Sequence, residues 1–275
     1  MKNDNLFSYK PQNPNEKVWR VCPDPKSEFI VLEIREKQEK RNTSQLLILD
    51  SQKRKVLGTA EMEATQTLLN FFDKTILLSE IDFQNEMPLA KGLQALNMGF
   101  EMIWELEEVS YYGIIEQETQ NQIQSQDTAK VAFSLQSNYY SVPLNFSKEE
   151  SQTEIEAREE NYDNLNSKVR QYFYSTNEYS TNHINYKDIS DFIFEKTNHK
   201  ARESIFYTEN DNYLICSYLV ENDNYLFLTD KKGNLKIHFL IKNVDKEDTK
   251  NPQELILMEN KILWTDENEF YLLSI

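Results

Sequence analysis

Glycine is scarce in this chain of 275 residues, with only Gly58, Gly92, Gly99, Gly113 and Gly233. So little glycine argues against a loop that cradles phosphate with bare backbone, and neither a G-x-G-x-x-G nor a Walker-type run occurs. Tight turns must then fall mostly to Asn and Asp, which tolerate left-handed backbone better than other side chains do. The run Glu221-Asn222-Asp223-Asn224 reads as such a turn. Cysteine is rarer still. Cys22 and Cys216 each sit in an apolar stretch, which argues against a disulfide framework and predicts two small buried side chains. The three histidines, His183, His199 and His238, are far apart, and no H-E-x-x-H or Cys-x-x-Cys motif is present. His183 and His199 flank a predicted helix and form the one pair to consider as a bipartite metal site. His238, between Ile237 and Phe239, faces away from both and reads as an exposed strand residue. No cofactor is expected.

Basic residues are also outnumbered. Thirty Lys and Arg stand against 46 Asp and Glu, for a net charge of -16. That balance disfavours nucleic-acid backbone as a partner, since such binding needs clustered Lys and Arg. The small basic group from Lys37 to Arg41 reads as a solvated hairpin turn. No window approaches the ~18 apolar residues of a membrane span. The polar stretch Met1 to Asn15 has no apolar core of signal-peptide type, so the default expectation is cytoplasmic residence. A monomer that does not engage membranes is also expected.

Aromatic side chains are plentiful: 15 Phe, 15 Tyr and 3 Trp. They favour a folded, strand-rich chain. Short apolar runs alternate with polar turns along most of it. Phe29 to Ile34 and Gln45 to Asp50 are partner strands, and Thr67 to Phe72 with Lys74 to Ser79 form the next pair. Gly92 to Leu96 and Glu101 to Leu106 form a hairpin in which Gly99 is expected to take positive φ. Val109 to Ile115, Lys130 to Gln136 and Tyr139 to Leu144 follow. After residue 200 come Ala201 to Tyr207, Tyr213 to Val220, Tyr225 to Thr229, Leu235 to Ile241, Leu255 to Met258, Lys261 to Trp264 and Phe270 to Ile275. Gly233 is placed where a turn wants positive φ.

Roughly 16 to 18 strands cannot lie in one flat sheet, so they must be divided or closed radially. A terminal strand suits a ring closed by pairing the two ends of the chain. Residues 1–16 are expected to be a disordered N-terminal arm, and residues 17–275 a single domain.

Two segments break the cadence. Residues 116–127 are polar and glutamine-rich and read as an exposed loop. Over 147–174, Ile155, Tyr162, Leu165, Val169 and Phe173 recur at helical spacing, which predicts an amphipathic helix. Asp188 is expected to cap a second helix whose apolar face holds Ile189, Phe192 and Ile193. Tyr172 to Asn185 reads as a loop between the two.

The stretch Pro88 to Asn97, closed by Gly99 and Ile103-Trp104, resembles a propeller-blade hairpin of the quinoprotein or WD-like type. It departs from that pattern in Asn97 for Asp and in Met98 before the glycine. Leu226 to Asp230 with Gly233 is a fainter echo. More widely, the chain resembles a Bacteroidetes family known as a domain of unknown function. The resemblance rests on Val18-Trp19-Arg20, Leu32-Glu33-Ile34-Arg35, Pro88 to Trp104, Ile215-Cys216-Ser217-Tyr218 with Leu226 to Gly233, and Asn260 to Trp264. It implies a bacterial source and a single propeller-like domain. The expected fold is therefore all-β and β-propeller-like, with about five to seven blades and an inserted helical segment around 150–198. Two packed sheets are the competing architecture.

Chemistry-bearing constellations are thin. Glu80 and Asp82 lie on one side of a strand end just before the Pro88 turn, and a carboxylate pair for sugar hydrolysis would need a separation that sequence does not give. Glu33 and Arg35 share a strand face and read as a structural ion pair. Cys216, at the end of the apolar run Leu214-Ile215-Cys216, is a poor nucleophile candidate. Trp19, Trp104 and Trp264 are expected to pack between blades. No catalytic, cofactor-binding or metal-binding residue is assigned. The sequence favours a non-enzymatic scaffold that binds a protein or peptide, with the acidic stretch Glu149 to Glu160 suiting a basic partner. The alternative is an enzyme acting on a small or sugar-like substrate at a propeller channel.

Overall fold

The computed structural model describes residues 5–37, 42–82, 89–115, 129–135, 138–144, 172–243, 254–258, 260–266 and 269–275. The chain divides into two compact units, residues 11–171 and residues 1–10 with 172–275. The described residues form antiparallel sheets of three to five strands and one helix.

Three sheets make up the unit of residues 11–171, and each is a run of consecutive strands. The first contains β2 (Glu16–Pro23), β3 (Phe29–Lys37), β4 (Asn42–Asp50) and β5 (Lys55–Met62). The second contains β6 (Gln66–Phe72), β7 (Thr75–Asp82), β8 (Leu89–Leu96) and β9 (Met102–Glu107). The third contains β10 (Ser110–Ile115), β11 (Lys130–Leu135) and β12 (Asn138–Pro143).

Val31, Leu46 and Ile48 of the first sheet meet Leu68, Phe71, Ile76 and Leu78 of the second. Burying each such side chain contributes ~1.5–3 kcal/mol relative to leaving it in water. Polar links cross the same gap. The Asp24 carboxylate accepts from the backbone of Lys26 (3.0 Å) and from Ser27 Oγ (2.7 Å) in its own turn. It also accepts from the backbone of Asp73 (3.1 Å) and Lys74 (3.1 Å) in the facing turn. Both of those turn residues have positive φ, 47° and 62°, the geometry of a two-residue hairpin turn. Trp104 is buried and its Nε1 donates to the carbonyl of Leu144 (3.1 Å), tying the second sheet to the chain that follows β12.

The other unit holds two five-stranded sheets. One runs β14 (Asn177–Ser180), β15 (Arg202–Glu209), β16 (Tyr213–Val220), β17 (Asp223–Asp230) and β18 (Leu235–Asn243). The other has the order β1 (Leu6–Tyr9), β21 (Glu269–Ser274), β20 (Lys261–Asp266), β19 (Ile256–Leu257), β13 (Tyr174–Ser175). Residues 6–9 are therefore a strand, not part of a disordered arm. Leu6 pairs with Leu273 and packs on the core, and Phe7 meets Phe270 edge-on at 6.5 Å. The first described strand thus pairs with the last. Ile215, Leu226 and Leu228 of one sheet bury against Leu257, Ile262 and Trp264 of the other.

The helix α1 (Tyr186–Thr197) covers the opposite face of the β14–β18 sheet, where Ile193 meets Ile205, Cys216 and Phe227. Ile189 and Phe192 join that contact as expected. Asn185, not Asp188, holds the cap position, and Asp188 lies in the first turn, where a carboxylate favours the helix dipole.

Gly233 has the expected positive φ of 78°. Gly99 does not: its hairpin puts the positive φ, 61°, on Phe100. Asn97 explains the difference, because its Oδ1 accepts from the backbone of Gly99 (2.8 Å) and Glu101 (3.0 Å) and so shapes the turn. The expected loop over 172–185 contains strands β13 and β14. The 116–127 loop, and the 147–174 helix up to residue 171, lie outside the described residues, as does the acidic stretch Glu149 to Glu160.

Candidate functional site

β18 is the outer strand of its sheet, and among the described residues no strand pairs with its free edge. Its sequence, Leu-Lys-Ile-His-Phe-Leu-Ile-Lys-Asn, contains no carboxylate in a chain with 46. Opposite residues of paired strands share a face. Ile237 and Phe239 therefore point with Leu228 and Leu226 toward the neighbouring sheet, while His238 and Leu240 point with Phe227 and Tyr225 toward α1. Register shifts between Asn224 and Tyr225 and between Leu228 and Thr229 mark bulges at Ile241 and Lys236. Such bulges blunt an exposed edge and leave Ile237 to Leu240 as its regular stretch.

A groove of about 1080 Å³ runs along this edge. Leu6, Trp264, Tyr271 and Leu273 of the β1–β13 sheet line one side of it, and Lys236 to Ile241 the other. Trp264 and Tyr271 stack 5.1 Å apart with their planes within 5° of parallel, and Phe239 lies 6.4 Å from the indole. The floor is aromatic and largely apolar, and Lys236 and His238 line the groove beside it.

His238 also belongs to a buried network. Its Nε2 lies 2.8 Å from Tyr218 Oη, and His199 Nδ1 lies 3.2 Å from the same oxygen. The hydroxyl has one hydrogen to donate, so one imidazole accepts it and the other must present an N–H. Burial pushes the Tyr218 phenol well above its ordinary value. Burial, and then the charge of His199, hold His238 below 6.5. His238 is therefore half-buried and hydrogen-bonded, not the exposed residue expected. Histidine pairing differs as well: His199 meets His238, while His183 accepts from the backbone of Asn185 (3.1 Å) and packs against Tyr179.

The remaining candidates resolve into structural roles. Glu33 is buried, pairs with Arg35 (2.5 Å), and accepts from Thr67 Oγ1 (3.1 Å) and the backbone of Leu68 (3.0 Å). Cys216 is buried and its thiol is pushed up by desolvation. Cys22 keeps some exposure, and desolvation raises its thiol to about 12. Glu80 lies in β7 opposite Gln66 and Gly92, and the Asp82 side chain is outside the described residues. Trp104 and Trp264 are both buried, and Trp264 packs in the core between the two sheets of its unit. Trp19 does not pack as expected: it is 58% exposed, with the Arg35 guanidinium 5.0 Å from its ring.

A second cavity, of about 360 Å³, lies on the β2–β5 sheet and is lined by Glu16, Glu36 and Glu61. Glu16 and Glu36 already accept from Gln45 (3.2 Å) and Asn13 (2.9 Å). Among the described residues, no three His, Cys, Asp or Glu side chains converge as metal ligands, and no helix is long and apolar enough to cross a membrane.

Sequence reasoning missed the β18 edge. The available signal was its lack of acidic residues together with apolar residues at consecutive positions, which a strand with one solvated face does not need.

No protein-family model matches the chain, and the search of curated proteins finds no match. Two solved structures are similar over long alignments. The crystal structure of Saccharomyces cerevisiae Sqt1 aligns at 9% identity over 100% of both chains, with a TM-score of 0.36. The β-propeller domain of the Trilobed protease from Pyrococcus furiosus aligns at 8% identity over 92% of this chain and 68% of that one, with a TM-score of 0.29. Similarities this loose carry no argument about fold or activity.

Proposed function

We propose that the protein is a non-enzymatic binding module of β-propeller type that takes an extended peptide along the free edge of β18. The observation that carries this reading is the unpaired edge lying beside a preformed aromatic groove. A strand added there gains main-chain hydrogen bonds from β18 and seats alternate side chains on the Trp264–Tyr271 floor. The propeller part of the reading rests on sheets built from consecutive strands and on the first strand lying beside the last. Membership of the Bacteroidetes family rests on the sequence stretches alone. Among the described residues, no comparable observation supports the enzyme reading.

N-methylation of the ligand tests the strand geometry without altering the protein. A short strand-forming peptide is compared with two versions methylated at alternate amides, one along each edge. Losing two or more hydrogen bonds should weaken one methylated version by about tenfold or more, and leave the other near the parent. Equal binding by all three versions would mean that the groove does not take a paired strand.

A further inference from the structure

We infer that the peptide suited to the β18 edge alternates large apolar residues with Asp or Glu, an inference that rests on the strand-addition reading above. The alternation follows from β18 itself. A strand paired with it places every second side chain on the face of Ile237 and Phe239, over the apolar groove lined by Trp264 and Leu273. The intervening side chains fall on the face of His238 and Leu240, toward α1.

The strand and the turn that leads into it are rich in lysine in an otherwise acidic protein. Residues 231–243 contain Lys231, Lys232, Lys236 and Lys242 and no Asp or Glu. Lys196 of α1 approaches the same turn, with its Nζ 3.8 Å from where a Cβ on Gly233 would sit. Part of this charge is already matched: Lys231 pairs with Glu209 at 2.8 Å, Lys236 with Asp230 at 3.3 Å and Lys196 with Glu195 at 2.9 Å. Lys232 is exposed and has no ion-pair partner among the described residues. Carboxylates on the incoming strand would add acceptors for Lys232, Lys236 and His238, whereas lysines there would meet like charge. The net charge of -16 opposes an acidic ligand at long range, but salt screens that repulsion beyond about 8 Å at physiological strength and leaves contacts intact.

The test uses the full chain and three labelled peptides that alternate Val with Glu, Gln or Lys, read by fluorescence anisotropy. The expected order is Glu tightest, then Gln, then Lys, with about threefold to tenfold between the first and last. Lys236→Glu and, separately, Lys232→Glu at an exposed turn position should shrink or reverse that order, with circular dichroism confirming an unchanged fold. Equal affinities for the three peptides, or tightest binding by the Lys peptide, would overturn the acidic preference while leaving strand addition standing. Failure of all three to bind would remove the strand-addition reading and this inference together.

Discussion

The backbone N–H of Leu68 donates to Glu33 Oε2 at 3.0 Å, so a fully buried carboxylate of one sheet satisfies the backbone of the next. Thr67 Oγ1 donates to the same oxygen, and Arg35 neutralises the group from the other side. A buried charge held this way is costly to break from one side, because its partners are left without acceptors. Glu33→Ala should therefore lower stability by about 3 kcal/mol, the low end of the range for buried pairs, since Arg35 keeps some solvent contact. The midpoint of urea unfolding measures it. A loss below about 0.5 kcal/mol would mean that the link is dispensable.

The two glycines of the Pro88 to Trp104 stretch should respond differently to a methyl group. A Cβ on Gly92 would sit 2.5 Å from the carbonyl oxygen of Leu106 on the paired strand. Gly92→Ala should cost about 1–3 kcal/mol through forced backbone movement. At Gly99 the nearest atom is the Asn97 side chain at 3.1 Å, and φ is not left-handed. Gly99→Ala should cost less than Gly92→Ala, as thermal unfolding of the two variants would show.

His238 gives stability a definite pH dependence. Its folded-state value lies below 6.5 because burial and the charge of His199 disfavour the imidazolium. The unfolded chain therefore binds more protons around that pH, and stability rises with pH there. The contribution is complete above the ordinary value and is lost as pH falls through it toward the folded value. Between about pH 8 and about pH 5, His238→Gln should flatten the stability profile relative to wild type. An unchanged slope would show that the Tyr218 network does not sense protonation at this site.

Both thiols should be inert in the folded protein. The thiolate is the reactive form, and desolvation raises Cys22 to about 12 and also pushes Cys216 up. A thiol-reactive disulfide reagent at neutral pH should label neither residue within the time that denatured chain is labelled fully. Rapid native labelling at Cys216 would contradict its burial.

Strand positions were largely legible because they depend on local apolar runs such as Phe29 to Ile34, whose pattern survives without knowledge of partners. Leu6 to Tyr9 was not legible: four residues between polar neighbours become a strand only because β21 supplies the other half of the ladder. The same limit applies to chemistry. Glu33 and Arg35 are two residues apart, so their pairing could be read from strand alternation. His199 and His238 are brought together by Tyr218 on a third element, and no spacing rule reaches that far. The β18 edge was hidden for a related reason, because a strand shows its lack of a partner only once the order of the whole sheet is known.

Amide hydrogen exchange along β18 tests the central claim most directly. With the alternating Val and Glu peptide at saturation, the edge amides of Ile237 to Leu240 should become protected, while those of β2, on the other unit, stay unchanged. Binding without added protection in β18, or protection confined to other strands, would contradict the account.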